Sequence, residues 1–100
     1  METGVDLSQL YVMTARIPEA GVAQFNAYES CVLPLLADHG ARLERRLRTE
    51  DGQHEVHVIW FPSGRAFDEY RNDPRRSQYA KLLVESGAVT TVMRMKDMPL

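Results

Sequence analysis

Cysteine is almost absent: Cys31 stands alone in 100 residues, so no intrachain disulfide can staple the fold, and a reducing, cytoplasmic setting is expected. No apolar run reaches the roughly 18 residues that a membrane-spanning helix needs. Basic charge is not in excess either. Twelve Lys and Arg face 14 Asp and Glu, a formal net charge of −2, which argues against nucleic acid or an anionic membrane as partner. Met1 to Asp6 holds two acids and no Lys or Arg, unlike a secretory leader. Residues 1–7 read as a flexible N-terminus and residues 8–97 as a single domain. Repeats and low-complexity tracts are lacking. Gly64 is isolated, so there is no glycine-rich loop to cradle a phosphate.

What is present is a strand pattern that is apolar on both faces, His54 to Phe61. Side chains alternate along a strand, so Val56, Val58 and Trp60 line one face while His57, Ile59 and Phe61 line the other. Such a strand expects cover on both sides. Leu10 to Ile17 has the same double-sided character before Pro18 closes it. Ala41 to Thr49 differs: Leu43, Arg45 and Leu47 alternate with Arg42, Glu44, Arg46 and Arg48, an edge strand with one solvated, charged face. Val89 to Met95 reads as a last strand.

Between these strands the period changes. Val22, Phe25, Tyr28 or Glu29, Val32, Leu35, Leu36 and His39 recur at helical spacing, with Pro34 expected to kink or divide the helix near Ser30. Gly40 suits a left-handed helix end, and Asp51-Gly52 a tight hairpin. Ser63 caps a second helix through Phe67 and Tyr70. Asp73-Pro74 restarts it as cap plus first-turn proline, with Arg75-Arg76 as a solvated helix start. Tyr79, Leu82 and Leu83 give its apolar stripe and Gly87 its end.

The order β-α-β-β-α-β is the ferredoxin-like α+β unit, a four-stranded antiparallel sheet with helices on one side. Its first and third strands lie in the middle, and these are the two that are apolar on both faces. The second sheet face is then left bare, more apolar surface than soluble monomers tolerate. A homodimer formed by sheet-to-sheet packing is the expected partner arrangement.

The chain resembles the dimeric α/β-barrel superfamily, and within it the family known as domain of unknown function 1330. The resemblance rests on Tyr11-Val12-Met13, Tyr28, Leu35 to Gly40, Arg45, Val58 to Ser63 with its Phe-Pro-Ser turn, and Tyr70 to Pro74. It implies two ferredoxin-like subunits packed sheet on sheet. Where relatives often carry a carboxylate before that turn, this chain has Trp60, so no role of that group transfers. The central strand is also similar to small cofactor-independent monooxygenases.

Several side chains can carry chemistry. His57 is either a satisfied core histidine or a general base whose reference pKa suits proton transfer near neutrality. Arg45, expected on the inward face with Leu43 and Leu47, is either a rim arginine paired across the dimer or a clamp for an anion or carbonyl oxygen. Trp60 and Tyr28 can wall a small-molecule pocket between sheet and helices. His54 and His57 point to opposite faces and cannot chelate one metal together, so no metal and no cofactor is expected. The expected function is a homodimeric small-molecule-binding protein. The alternatives are a cofactor-independent monooxygenase or proton-transfer isomerase acting on a small aromatic or carbonyl substrate, or a structural dimer without a ligand.

Overall fold

The structure, a computed structural model, describes residues 5–100. The first four positions of the N-terminal segment 1–7 lie outside the described residues. Strand β1 (Gln9–Arg16) leads through a 3-10 turn (Glu19–Gly21) into helices α1 (Val22–Val32) and α2 (Leu35–Asp38). Strands β2 (Arg42–Arg48) and β3 (His54–Phe61) form a hairpin. Helices α3 (Gly64–Arg71), α4 (Pro74–Ser77) and α5 (Ala80–Ser86) then return the chain to β4 (Val89–Met95). The sheet order is β2-β3-β1-β4 with every pairing antiparallel. This is the ferredoxin-like plan, with the two double-sided strands in the centre. Among the described residues no helix is long and apolar enough to cross a membrane.

Local signals set most boundaries. The Ser63 hydroxyl accepts from the Ala66 amide at 3.1 Å and starts α3, and Asp73 caps Arg75 at 2.9 Å before Pro74. Gly40 and Gly87 end helices at φ 69° and 71°, where a Cβ is disfavoured. The first helix divides three residues later than expected, at Leu33–Pro34. The Leu33 amide still reaches the Glu29 carbonyl at 3.0 Å. Pro34 has no amide to offer Ser30, so the helical ladder stops there.

The helix-facing side of the sheet holds the core. Phe25, Ile17, Phe61 and Leu36 are almost fully buried, and each such side chain contributes roughly 2 kcal/mol by burial. Tyr11 stacks on Phe67 with centroids 3.9 Å apart, and Phe61 meets both edge-on. The opposite face presents Val56, Val58 and Trp60 beside Leu10, Val12, Met93 and Met95 in register, partly or largely exposed.

Strand β2 departs from the expected alternation. A bulge between Leu43 and Arg45 leaves Glu44 without a partner on β3. One extra residue reverses the facing of everything after it. Leu43 therefore stays with Ile59 on the helix side, whereas Arg45 pairs with Val58 and Leu47 with Val56 on the open side. Arg46 and Arg48, expected in solvent, turn inward opposite His57 and Glu55.

Two glycines separate steric from backbone constraint. A Cβ on Gly21 would stand 1.8 Å from the Ser86 carbonyl oxygen, whereas on Gly52 (φ +79°) it would meet nothing within 4 Å. Gly52→Ala is expected to cost about 1 kcal/mol from backbone alone. Gly21→Ala must push α5 away from the start of α1 and is expected to cost at least about 2 kcal/mol. Thermal unfolding checks the order; in a domain this size the larger loss lowers Tm by roughly 8 °C or more.

Candidate functional site

A cavity of about 220 Å³ lies between the helices and the sheet. Its walls are aromatic: Tyr11, Phe25, Tyr28, Phe61, Phe67 and Tyr70 all contribute. Polar groups enter at a few points, which is the usual constitution of a small-molecule site. Glu29 and His57 are among them, and Arg71 and Arg76 line the same space.

His57 does not stand alone. On β3 it shares the helix-facing side with Glu55, two residues earlier, and α1 lowers Glu29 onto the same spot. All three are only 2% exposed. His57 Nε2 lies 2.5 Å from Glu55 Oε2 and 3.0 Å from Glu29 Oε2. The bulge brings in the balancing charge. Arg48 Nε donates to Glu55 Oε1 at 2.8 Å and its Nη2 to Glu29 Oε1 at 3.3 Å, while Arg46 Nη2 reaches Glu29 Oε1 at 2.9 Å. Two buried carboxyl groups and one buried imidazole thus form a network with two guanidiniums that reach in from the surface, Arg46 and Arg48 being 45% and 22% exposed. Its members compensate one another, as buried charges require.

The environment drives the two carboxyls apart. Burial pushes Glu29 up, and neighbouring Glu55 adds to this against the opposing bond from His57. Burial would raise Glu55 too, but hydrogen bonds from Glu29, Arg48 and His57 outweigh it and hold Glu55 down to about 2. Glu29 thus holds its proton more tightly than an ordinary carboxyl and Glu55 less tightly, two neighbouring carboxyls shifted in opposite directions. An ionised Glu55 can only accept, so the Nε2 bonded to it carries the hydrogen. In a neutral imidazole so bonded, Nδ1 keeps its lone pair, the arrangement by which a carboxylate prepares a histidine to act as base.

The four residues read from sequence as one pocket fall into two places. Tyr28 and His57 line the cavity. Arg45 and Trp60 lie across the sheet, lining a broad open depression of about 940 Å³ with Leu10, Val58 and Met95. There the Arg42 guanidinium sits 4.1 Å above the Trp60 ring. Arg45 is thus not on the inward face, because the bulge turned it outward. Neither it nor Trp60 can meet a ligand held by His57 across an intact sheet.

Glu29, Glu55 and Arg48 enter the site without having been singled out. Signals existed: Glu55 shares the period of His57, and Glu29 interrupts an apolar helical stripe. Glu29, Glu55 and His57 also place one donor atom each within 4.8 Å of one another. The guanidiniums on both carboxylates set two positive charges against any divalent cation there, so this set fits a proton better than a metal. His54, on the opposite face, is exposed. A second cluster sits apart from the cavity: His39 Nε2 bonds Asp73 at 2.8 Å, and Arg75 spans Asp73 and Asp38. The Arg75 bonds, followed by His39, hold the Asp73 carboxyl well below the usual range. Arg75 is therefore an ion-pair partner rather than a free helix start.

The pH dependence of stability follows from signs. Glu55 lies below its ordinary 4.5, so its ionised form stabilises the fold; that contribution is complete above pH about 4.5 and is lost as pH falls toward about 2. Glu29 has the opposite sign, adding stability below its ordinary value and losing it as pH rises through its elevated one. Glu55→Gln is expected to flatten the acid limb of a urea-midpoint profile between pH about 4.5 and about 2. An unchanged limb would remove Glu55 from this account.

No family model matches the chain, and no curated protein matches it. Solved structures do. SnoaB of Streptomyces nogalater, described as a cofactor-independent oxygenase, superposes with TM-score 0.75 at 15% identity, covering 93% of this chain and 95% of its own. A Caulobacter crescentus protein provisionally assigned as an antibiotic biosynthesis monooxygenase gives 0.77 at 9%, covering 94% and 92%. A Mycobacterium tuberculosis protein gives 0.66 at 22%, covering 90% and 97%. At these identities the likeness is one of fold: the chain shares the ferredoxin-like α+β architecture of these proteins along nearly its whole length.

Proposed function

We propose that this chain is a cofactor-independent enzyme in which His57 takes a proton from a small aromatic or carbonyl substrate held between sheet and helices. The observation that carries the reading is the buried Glu55–His57 pair at the wall of an aromatic cavity. Glu55 fixes the imidazole, Nδ1 receives the proton, and the aromatic walls orient the substrate and exclude water. Tyr28, whose hydroxyl meets Arg76 at 3.2 Å, borders the same space. Transfer of the proton back to another carbon is isomerisation. With dioxygen as co-substrate, the electron-rich anion is oxidised instead: a ring CH2 plus O2 becomes C=O plus water, which balances without a redox group. The oxygenase description of SnoaB supports the second outcome.

A second copy of the chain covers the open sheet face in this proposal. Leu47, Val89, Met93 and Met95 are between 44% and 54% exposed there, and such a continuous apolar face needs cover. Membership of the dimeric α/β-barrel superfamily, beside the domain of unknown function 1330, rests on the motifs at Val58 to Ser63 and Tyr70 to Pro74. A single domain over residues 8–97 and residence in the cytoplasm belong to the same reading.

Oxygen uptake and solvent-deuterium incorporation with 1-naphthol and 2-naphthol, without added cofactor, test the chemistry. Wild type is expected to exceed buffer, and His57→Gln to lose about 100-fold. Rates at the buffer level by both readouts would sink the enzymatic reading and leave a binding protein. For the assembly, sedimentation at micromolar concentration is expected to give twice the 11.4 kDa chain mass. Val58→Glu should release monomers; a wild-type monomer would refute the dimer.

A further inference from the structure

Two guanidinium groups at the cavity have no part in the proton-transfer reading. Arg71 and Arg76 both line it. Arg46, Arg48, Arg65 and Arg75 each hold a carboxylate, but among the described residues neither Arg71 nor Arg76 takes part in an ion pair. Arg76 is nonetheless held in place. Its Nη1 donates to the Arg71 carbonyl at 3.1 Å, its Nη2 to the Tyr28 hydroxyl at 3.2 Å, and its guanidinium carbon lies 4.7 Å from the Tyr70 ring centroid. The Arg71 guanidinium stands 5.6 Å from the Phe67 ring.

One donor is left over. Arg76 Nε is buried and has no hydrogen-bond partner. Buried N–H groups without an acceptor are rare in folded proteins because their desolvation goes uncompensated. Here the orphan belongs to a partly exposed residue that borders a cavity, lies against the Tyr70 ring and forms no ion pair among the described residues. Glu29, the carboxyl at the same cavity, does not answer it, since Arg46, Arg48 and His57 already engage it. A planar guanidinium with free donors matches a carboxylate better than any neutral oxygen. The remaining walls are mostly apolar, aromatic side chains beside Met13, Ile59 and Val92, and about 220 Å³ limits the body to one or two fused rings.

We propose that the cavity selects a planar aromatic carboxylate, with its anionic group received by Arg76 and further attracted by Arg71. This names the ligand class for the site described above and rests on that reading of the cavity, though not on turnover there. Arg76, rather than the sequence candidate Arg45, then acts as the anion clamp of this chain.

Calorimetric binding of 1-naphthoate and of its neutral isostere 1-naphthamide to the wild-type protein tests the idea. Naphthoate is expected to bind roughly tenfold tighter or better, as charge-assisted hydrogen bonds imply. Arg76→Gln should abolish the preference while naphthamide affinity changes little. If that variant does not fold, Arg76→Lys keeps the charge without the fork and is expected to retain only part of the discrimination. Equal affinities, no binding of either compound, or a full preference surviving the substitution would overturn the proposal. The outcome is separable from the enzymatic reading. Charge discrimination without oxygen uptake or exchange leaves the clamp standing and removes the base; turnover of naphthols without charge discrimination does the reverse.

Discussion

The network that ties buried Glu29, Glu55 and His57 to Arg46 and Arg48 is the constraint around which the helix-facing side of this molecule is organised. It joins α1 to β2 and β3 through paired charges that are costly to bury and costlier to separate. Removing either arginine would leave a buried glutamate short of counter-charge. The network therefore ties the first helix to the sheet directionally, which apolar packing alone does not do. It also creates asymmetry in chemistry. Two carboxyls that share one site are shifted in opposite directions, and the imidazole between them is held by its bond to Glu55.

That network depends on a single extra residue. Without the bulge at Glu44, strand alternation would carry Arg46 and Arg48 to the open face and bring Arg45 and Leu47 inward. The glutamates would then face the core without counter-charge. With the bulge, β2 serves both faces: Leu43, Arg46 and Arg48 toward the helices, and Arg42, Arg45 and Leu47 toward the open side. The sheet thus separates two surfaces of different character. One encloses an aromatic cavity bordered by His57; the other is a broad apolar face rimmed by arginines.

Much of the architecture could be read directly from the residues. His54 to Phe61 and Leu10 to Ile17 are apolar in both phases, which only central strands of a covered sheet require. Ser63, Asp73-Pro74, Gly40 and Gly87 mark their boundaries by local chemistry that needs no tertiary partner. The site was legible only in part. His57 stood out as a titratable group in an apolar strand, and Tyr28 as an aromatic on the helical stripe. Glu29 entered only as the alternative to Tyr28 at one position of that stripe, because periodicity registers apolarity and is blind to a buried ion pair. Trp60 and Arg45 looked like pocket residues because spacing identifies a face without saying which element covers it.

The sequence by itself determined the order of elements, the two central strands and the helix ends, because backbone sterics, capping and side-chain period act over a few neighbouring residues. Only the tertiary structure decided where charge goes. The bulge is a property of β2 pairing with β3, so the facing of four arginine and leucine positions could not be known from β2 alone. Arg76 finds Tyr28 48 residues away, and Glu29 finds His57 across the helix–sheet interface. Such partners are chosen by the packing of whole elements, which places groups in contact that no local pattern relates.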